Sequence, residues 1–220
     1  MYSHRVGNRV KMKTAGAAMV IPVEESAATR AAPRSRALVW SAVACFALLT
    51  WAGARLTVPL PHTPVPGTLQ TLVVLLAGLF LGARAGAASQ VLYLSLGLAG
   101  IPVFALPGAG PGYLLGPTGG YLVGFAAAAW VTGWISGRSP AGRPLRVVIA
   151  LLAGSAVIHL AGLAWLTLQM GGSFTAAWTL APVPFALFDL TKIVLAATLY
   201  FGAVRLGRAI GSPWSPASQR

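Results

Sequence analysis

Asp189 and Lys192 are two residues of opposite charge in an otherwise apolar segment near the end of the chain. Asp189 is the single carboxylate residue after Glu25. A spacing of three residues places both side chains on the same face of a helix. Since a lone charge at membrane depth costs about 2.5–3.5 kcal/mol, the pair predicts either a structural ion pair or a polar ligand site.

The chemistry of this pair suits a small polar ring. A carboxylate only accepts hydrogen bonds, and an ammonium only donates them. A ligand with N–H donors and a carbonyl acceptor on one ring, such as a cyclic urea or amide, therefore matches both groups. Phe185 and Ala196 lie on the same helical stripe, so the pair has apolar neighbours on both sides. Many polar heterocycles meet this description, and the residues alone indicate a class of ligand.

The composition indicates an integral membrane protein. Hydrophobic residues make up 56% of the 220 residues and charged residues 9%, which describes a chain whose solvent is mostly lipid. One bundle of helices accounts for this length without a second soluble domain. The net charge of +13 does not indicate nucleic-acid binding, because the basic residues are scattered between apolar runs rather than gathered on one face.

The chain lacks the sequence patterns of metal and nucleotide sites. Its one cysteine, Cys45, excludes an intrachain disulfide and a thiolate cluster. The histidines, His4, His62 and His159, have no His or Cys partner at the spacing of metal ligands. The Gly-x-Gly-x-Gly run of residues 108–112 is not followed by Gly-Lys-Ser/Thr, so it does not predict a nucleotide loop. We expect neither a metal nor a cofactor.

Catalysis is not expected either. Mechanisms with paired carboxylates need two acids, and the apolar segments contain Asp189 alone. The chain also has no Walker sequence for ATP hydrolysis. An alternative stays open in which Asp189 and Tyr93 carry out acid–base chemistry as a membrane-embedded enzyme.

Hydropathy divides the chain into a basic arm (residues 1–36), a membrane domain (37–208) and a short tail (209–220). The arm carries seven Lys or Arg residues and no hydrophobic periodicity, so we expect it to be disordered or bound at the membrane surface. Each apolar run approaches the roughly 20 residues that a helix needs to cross the hydrocarbon core. The predicted spans are Leu38–Ala54, Thr68–Leu81, Ala85–Phe104, Thr118–Ser136, Val147–Met170 and Pro184–Val204. The fold class is an all-α integral membrane protein, a bundle of six transmembrane helices.

Arginines alternate along the connections and predict the orientation. They precede the first span, separate the second from the third and the fourth from the fifth, and follow the sixth, at Arg30, Arg34, Arg36, Arg84, Arg138, Arg143, Arg146, Arg205 and Arg208. The other connections carry no Lys or Arg apart from Arg55, so the positive-inside rule places both termini in the cytoplasm. An alternative treats Leu38–Ala54 as a secretory signal with a small-residue cleavage site, but its removal breaks this alternation.

This orientation places the charged pair near the outer surface. Counting from Pro184, Asp189 lies about 8 Å inside the membrane and Lys192 about 12 Å, so a ligand enters from outside. The outer connection from Val58 to Pro66 contains four prolines and favours a stiff, extended strand that can cover the site. A plain connector is the alternative.

Two further groups of residues share a helical face. Gln90 and Tyr93 are the large polar side chains of the third span, so they either complete the site or bond a neighbouring helix. The small residues Ala37, Ser41 and Cys45 recur at four-residue spacing near the cytoplasmic end of the first span. They predict a smooth surface on which another membrane helix can pack, with packing inside the bundle as the alternative.

Three stretches of the chain closely resemble the BioY family. They are Val58–Gly82 (VPLPHTPVPGTLQTLVVLLAGLFLG), Ser89–Phe104 (SQVLYLSLGLAGIPVF) and Gly116–Gly124 (GPTGGYLVG). The members of this family are the substrate-binding S components of biotin transporters of the energy-coupling-factor (ECF) type. The resemblance extends from about Leu38 to Gly207 and implies six helices with cytoplasmic termini, as hydropathy and charge predict.

The resemblance implies roles for individual residues. Asp189 and Lys192 match the family's acid and lysine in the last helix. Asp189 is therefore expected to accept hydrogen bonds from the ureido N–H groups of biotin, and Lys192 to donate to the ureido carbonyl. The family's motifs add four candidates for contact with biotin: Gln90, Tyr93, Thr118 and Tyr121. The proline strand resembles the family's substrate-covering first loop.

The resemblance also implies partners. Ala37, Ser41 and Cys45 stand where the family's first helix offers an alanine surface to the transmembrane coupling subunit. That subunit and two cytoplasmic ATPase subunits would supply the energy for uptake across a prokaryotic inner (plasma) membrane. Biotin and membrane lipid are the other expected partners, and nucleic acid is not. A transporter subunit for another heterocyclic vitamin is the alternative.

Overall fold

The computed structural model describes residues 36–60, 63–137, 142–180 and 182–209. The predicted arm up to residue 35 and the tail from residue 210 lie outside these ranges, as do Arg138 and His62. The described residues form seven helices and two short strands: α1 (Arg36–Arg55), β1 (Thr57–Val58), β2 (Gly67–Thr68), α2 (Gln70–Leu98), α3 (Gly110–Leu114), α4 (Gly119–Ser136), α5 (Pro144–Gln169), α6 (Phe174–Leu180) and α7 (Pro182–Ala209). The six predicted spans fall on five of these helices, because the second and third both lie in α2.

Helix α2 is a hairpin of two helical segments, residues 70–81 and 83–98. Gly82 between them has φ +78° and ψ 178°, a backbone conformation that is open to glycine and strained for other residues. Gln70 and Tyr93 are 23 residues apart, about 35 Å in a straight helix, yet Nε2 of Gln70 lies 2.6 Å from the hydroxyl of Tyr93. The two segments therefore run side by side in opposite directions. A Cβ at Gly86 would lie 3.0 Å from the carbonyl oxygen of Ala77, so glycine permits this approach.

Within the described residues, four helices are long and apolar enough to cross a membrane, judged by length and composition. They comprise residues Arg36–Arg55, Gln70–Leu98, Pro144–Gln169 and Leu187–Gly207. The structure is thus an all-helical membrane protein, in agreement with the predicted class.

The predicted third span is too long at its end. It was expected to reach Phe104, but α2 stops at Leu98. Gly100 has φ +91°, and Pro102 lacks the backbone N–H that a further helical turn needs. Phe104 is nevertheless fully buried, since the irregular segment folds its ring back into the core.

Helix α4 packs between α2 and α5, and glycines allow the close contact on both sides. A Cβ at Gly133 would lie 2.3 Å from the backbone nitrogen of Ala83, next to the α2 turn. On the α5 side, a Cβ at Gly120 would lie 2.2 Å from the Cβ of Trp165. Side chains larger than hydrogen would push these helices apart, so the glycines of α4 determine the spacing of the bundle core.

The proline-rich connection between α1 and α2 is closed at its base. Strands β1 and β2 pair in antiparallel register, with Thr57 opposite Thr68 and Val58 opposite Gly67. Val65, near the end of the connection, is 4% exposed and packs in the core. The chain therefore reverses direction between β1 and β2, and the described end of the connection at Val65 packs against the bundle.

Candidate functional site

A cavity lies among α2, α4, α5 and α7, beside the connection that β1 and β2 close. Asp189, Lys192 and Phe185 line it from α7, and His159 lines it from α5. The remaining lining residues are Val65, Pro66, Thr68, Gln70, Thr71, Ala105, Tyr113, Thr118, Tyr121, Leu122 and Phe125. The cavity offers about 40 Å³ to the centres of water molecules.

The predicted ion pair forms the polar end of this cavity. Nζ of Lys192 donates to Oδ1 of Asp189 at 2.7 Å and to the hydroxyl of Thr71 at 2.8 Å. Asp189 is 6% exposed and Lys192 is 3% exposed, so both charges are shielded from solvent. Nζ also lies 4.1 Å from the centre of the Phe188 ring, a favourable cation–π position. An ammonium has three N–H groups, so one is left for a ligand.

His159 is a site residue that was not predicted from the sequence. Its Nε2 contacts Oδ2 of Asp189, and because a carboxylate only accepts, Nε2 carries the hydrogen. His159 is an ionisable residue inside the fifth predicted span. Such residues are candidates for a functional site, as Asp189 is, so this position was a signal in the sequence.

Thr118 and Tyr121, both predicted from the PTGGY block, line the cavity. The Tyr121 ring lies edge-on to His159 with 6.0 Å between ring centres, and 6.0 Å from the Phe185 ring. The Tyr121 hydroxyl and Nδ1 of His159 are buried, and neither has a hydrogen-bond partner among the described residues. Two unpaired polar atoms thus lie in residues that line one cavity.

Gln90 and Tyr93 do not line the cavity. The Gln90 amide contacts the hydroxyls of Thr50 at 3.3 Å and Ser89 at 3.0 Å, which ties α2 to α1. The Tyr93 hydroxyl donates to the carbonyl of Val103 at 3.1 Å and accepts from Gln70. The sequence left open whether these two residues complete the site or bond a neighbouring helix. In the structure both bond neighbouring elements.

Gln70 is the polar α2 side chain that does line the cavity. Its Nε2 is held by the Tyr93 hydroxyl, and its Oε1 accepts from the Thr68 hydroxyl at 3.0 Å. Tyr93 therefore supports the cavity wall from behind. Gln70 lies in the second predicted span, Thr68–Leu81, and is not among the contact residues predicted from the sequence.

The connection between α2 and α4 closes another side of the cavity. Tyr113 lines the cavity and stacks on Phe104, with 5.1 Å between ring centres. Burial raises the pKa of the Tyr113 phenol, and its hydrogen bond with Thr118 acts in the opposite direction. Trp165 Nε1 donates to the carbonyl of Gly116 at 2.9 Å, which fastens this connection to α5.

The predicted coupling surface is exposed. Ala37, Ser41 and Cys45 all lie on the outer side of α1. The Ser41 hydroxyl donates to the carbonyl of Ala37 at 3.0 Å, so its polar group is satisfied within the helix. The alternative, in which these three residues pack inside the bundle, does not agree with their exposure.

The model of the BioY family matches residues 25–209 of the chain. The chain belongs to the BioY family. The match begins inside the segment predicted as a basic arm. Among the described residues of this BioY chain, no group of three or more His, Cys, Asp or Glu residues is placed to hold a metal ion.

Relatives from distant organisms are similar over most of the membrane domain. The chain is 41% identical to the probable biotin transporter BioY of Pyrococcus horikoshii, over 76% of this chain and 94% of the relative. It is 36% identical to the biotin transporter BioY of Thermotoga maritima, over 70% of this chain and 88% of the relative. It is 34% identical to the biotin transporter BioY of Rhizobium etli, over 78% of this chain and 92% of the relative. These relatives are named as transporters rather than enzymes.

A solved structure has the same fold. The chain superposes on the crystal structure of the S-component for biotin from an ECF-type ABC transporter with a TM-score of 0.69. The alignment covers 77% of this chain and 92% of that chain at 22% identity. At this identity the likeness shows the fold alone.

Proposed function

We propose that this BioY chain is the high-affinity biotin-binding membrane subunit, the S component, of an ATP-driven biotin uptake transporter. The observation that carries the proposal is the buried Asp189–Lys192 pair at the end of a cavity. Membership of the BioY family and the names of the relatives support biotin as the ligand. The chain works as a receptor, and partner subunits supply the energy.

Recognition of the ureido ring follows from the donors and acceptors of the cavity. Asp189 accepts from ureido N–H, and the third N–H of Lys192 donates to the ureido carbonyl. Thr71 and Gln70 line the same cavity and are each held by a hydrogen bond within the protein. Because the polar groups are already positioned, the ring binds without reorganising them.

We expect the mouth of the cavity to move when biotin binds. The cavity volume of about 40 Å³ is small for a two-ring ligand with an acyl chain. The wall formed by Val65 and Pro66 belongs to a loop, whereas Asp189 and His159 are on long helices. We expect the loop after β1 to move outwards when biotin enters and to cover it afterwards, the role predicted for the proline-rich connection.

Six crossings of the membrane are consistent with this architecture. The two segments of α2 count separately, and α1, α4, α5 and α7 supply the other four. Residues 70–81 span about 18 Å as a helix, so their flanks must contribute to that crossing. With an even number of crossings, the positions of the arginine-rich connections support cytoplasmic termini in a prokaryotic cell, with the chain in the inner membrane.

The proposed partners are a transmembrane coupling subunit and two cytoplasmic ATPase subunits. The chain has no Walker sequence, so ATP hydrolysis must occur on another protein. The exposed row of Ala37, Ser41 and Cys45 offers the coupling subunit a surface of small side chains, which membrane helices favour for close packing.

Competition by biotin analogues tests the ligand assignment. Desthiobiotin keeps the urea but lacks the sulfur ring, so we expect a moderate loss of about 0.8 kcal/mol per missing methylene-sized contact. An analogue with the urea replaced leaves buried polar groups unmatched, at about 1–3 kcal/mol each. Displacement of labelled biotin from the purified chain measures both. Equal competition by the urea-modified analogue would contradict the assignment of Asp189 and Lys192 as the groups that read the ring.

Tyr93→Phe tests whether Tyr93 acts through Gln70. The change removes one hydroxyl and leaves the Gln70 amide without its acceptor, so we expect biotin affinity to fall by about 3–10-fold. In the Gln70→Leu background the same change should cost little more, because the two residues form one unit. Equilibrium binding to the single and double variants measures this. Independent losses that multiply would show that Tyr93 does not act through Gln70.

A further inference from the structure

His159 is a polar residue of the cavity to which the proposed function assigns no task. It is on α5, its side chain is 20% exposed, and it lines the cavity next to Asp189. We propose that His159 contacts the ligand directly: its Nδ1 accepts one ring N–H, while its Nε2–H orients the Asp189 carboxylate. This inference rests on the proposed function, because it assumes a cyclic urea in the cavity.

The tautomer of His159 follows from its contact with Asp189. The carboxylate offers no hydrogen, so the bond between Nε2 and Oδ2 requires a hydrogen on Nε2. In the neutral imidazole that the proposal requires, the free lone pair lies on Nδ1, and Nδ1 is an acceptor. That nitrogen is buried and has no hydrogen-bond partner in the part of the chain that the structure describes.

Among the described residues, aromatic rings surround His159 and no donor is bonded to Nδ1. The Tyr121 ring lies edge-on to the imidazole, and the Phe185 ring centre is 5.9 Å from it. The charged groups on this side of the cavity are Asp189 and Lys192, which bond each other at 2.7 Å. Buried polar atoms in native proteins are nearly always paired, so a donor from the ligand is the natural partner for Nδ1.

A second acceptor completes the match to a cyclic urea. The ring carries two N–H groups and one carbonyl, and Lys192 serves the carbonyl. Asp189 already accepts from Lys192 through Oδ1 and from His159 through Oδ2, so part of its accepting capacity is used within the protein. With Nδ1 of His159 as the second acceptor, Asp189, His159 and Lys192 together present two acceptors and one donor, the complement of the urea.

The experiment compares biotin with two analogues, in each of which one of the two ring N–H groups is replaced by oxygen. Binding is measured on the full chain, purified in detergent. We expect His159→Leu to weaken biotin by about 10–100-fold. The analogue that lacks the N–H facing His159 should bind His159→Leu almost as tightly as it binds the parent chain. The other analogue should lose as much affinity on His159→Leu as biotin does.

Two variants control the interpretation. Leu160→Ala changes the next residue of α5, which is 64% exposed, and should leave binding unchanged. His159→Gln retains an N–H donor for Asp189 and a carbonyl acceptor for the ligand, so it should bind biotin within about 10-fold of the parent.

Several outcomes would overturn the inference. One is an unchanged affinity of His159→Leu for biotin. Another is a loss of biotin affinity in His159→Gln as large as the loss in His159→Leu. Equal losses for biotin and both analogues would show that His159 only positions Asp189. Failure of the parent chain to bind biotin at all would instead contradict the proposed function.

Discussion

Asp189→Asn is expected to weaken biotin binding by about 1.5–3 kcal/mol, roughly a 10–150-fold rise in Kd. Asp189 accepts from Lys192 and His159, two donors on opposite oxygens of one carboxylate. Asparagine replaces one of these oxygens with an NH₂ group, which would face a donor. The variant therefore loses the acceptor for the ureido N–H and disturbs both neighbours.

The stability of the variant has to be followed together with its affinity. Lys192 is 3% exposed, and removing its charged partner from a buried pair costs about 3–5 kcal/mol of stability. The double variant Asp189→Asn/Lys192→Met removes both charges and should regain stability without regaining affinity. Thermal unfolding and equilibrium binding of labelled biotin measure the two effects separately. If Asp189→Asn binds biotin as well as the parent while Asp189→Leu fails to fold, the pair is a structural strut and the ligand binds elsewhere.

Cys45→Trp is expected to abolish biotin uptake, with at least a 10-fold loss, while biotin binding by the isolated chain is unchanged. Cys45 is exposed on α1 in one row with Ala37 and Ser41, so an indole there contacts no part of the cavity. Close approach of membrane helices depends on small side chains at the contact. A tryptophan in the row should therefore hold a coupling subunit away from α1. Ser41→Trp should act in the same way.

Leu199→Trp is the matched control for this prediction. Leu199 lies on α7 and is 46% exposed, so the substitution adds an indole to another outward-facing helix. Uptake by cells that contain the coupling and ATPase subunits, and binding by the purified chain, should both stay near the parent values. Parallel loss of uptake and binding in Cys45→Trp would indicate that this face of α1 supports the bundle rather than a partner.

Local patterns in the chain were enough to predict the membrane class and the charged pair. In lipid every backbone N–H and C=O must bond within its own helix, so long apolar runs identify helices without knowledge of their neighbours. Asp189 and Lys192 are three residues apart on one helix, and their 2.7 Å bond needs no tertiary contact. The motifs around Gly116–Gly124 likewise identified the family that the comparisons confirm.

The outward direction of the α1 row was an open question for the sequence. Small residues at four-residue spacing suit contact with a partner and contact inside the bundle equally well. The structure decided between the two, because α1 packs through Val43, Ala47 and Thr50 and leaves Ala37, Ser41 and Cys45 exposed.

By itself, the sequence predicted the all-helical membrane class and a charged pair inside an apolar helix, because helix formation and burial of charge in lipid are local costs. Only the tertiary structure decided which side chains meet. His159 and Asp189 are 30 residues apart, and Thr71 and Lys192 are 121 apart. Their contacts depend on how α2, α5 and α7 rotate and pack, and on the turn at Gly82 that brings Tyr93 behind Gln70. Hydropathy averages over a helix and carries no information on such rotations, so it could not predict the cavity or the place of His159 in it.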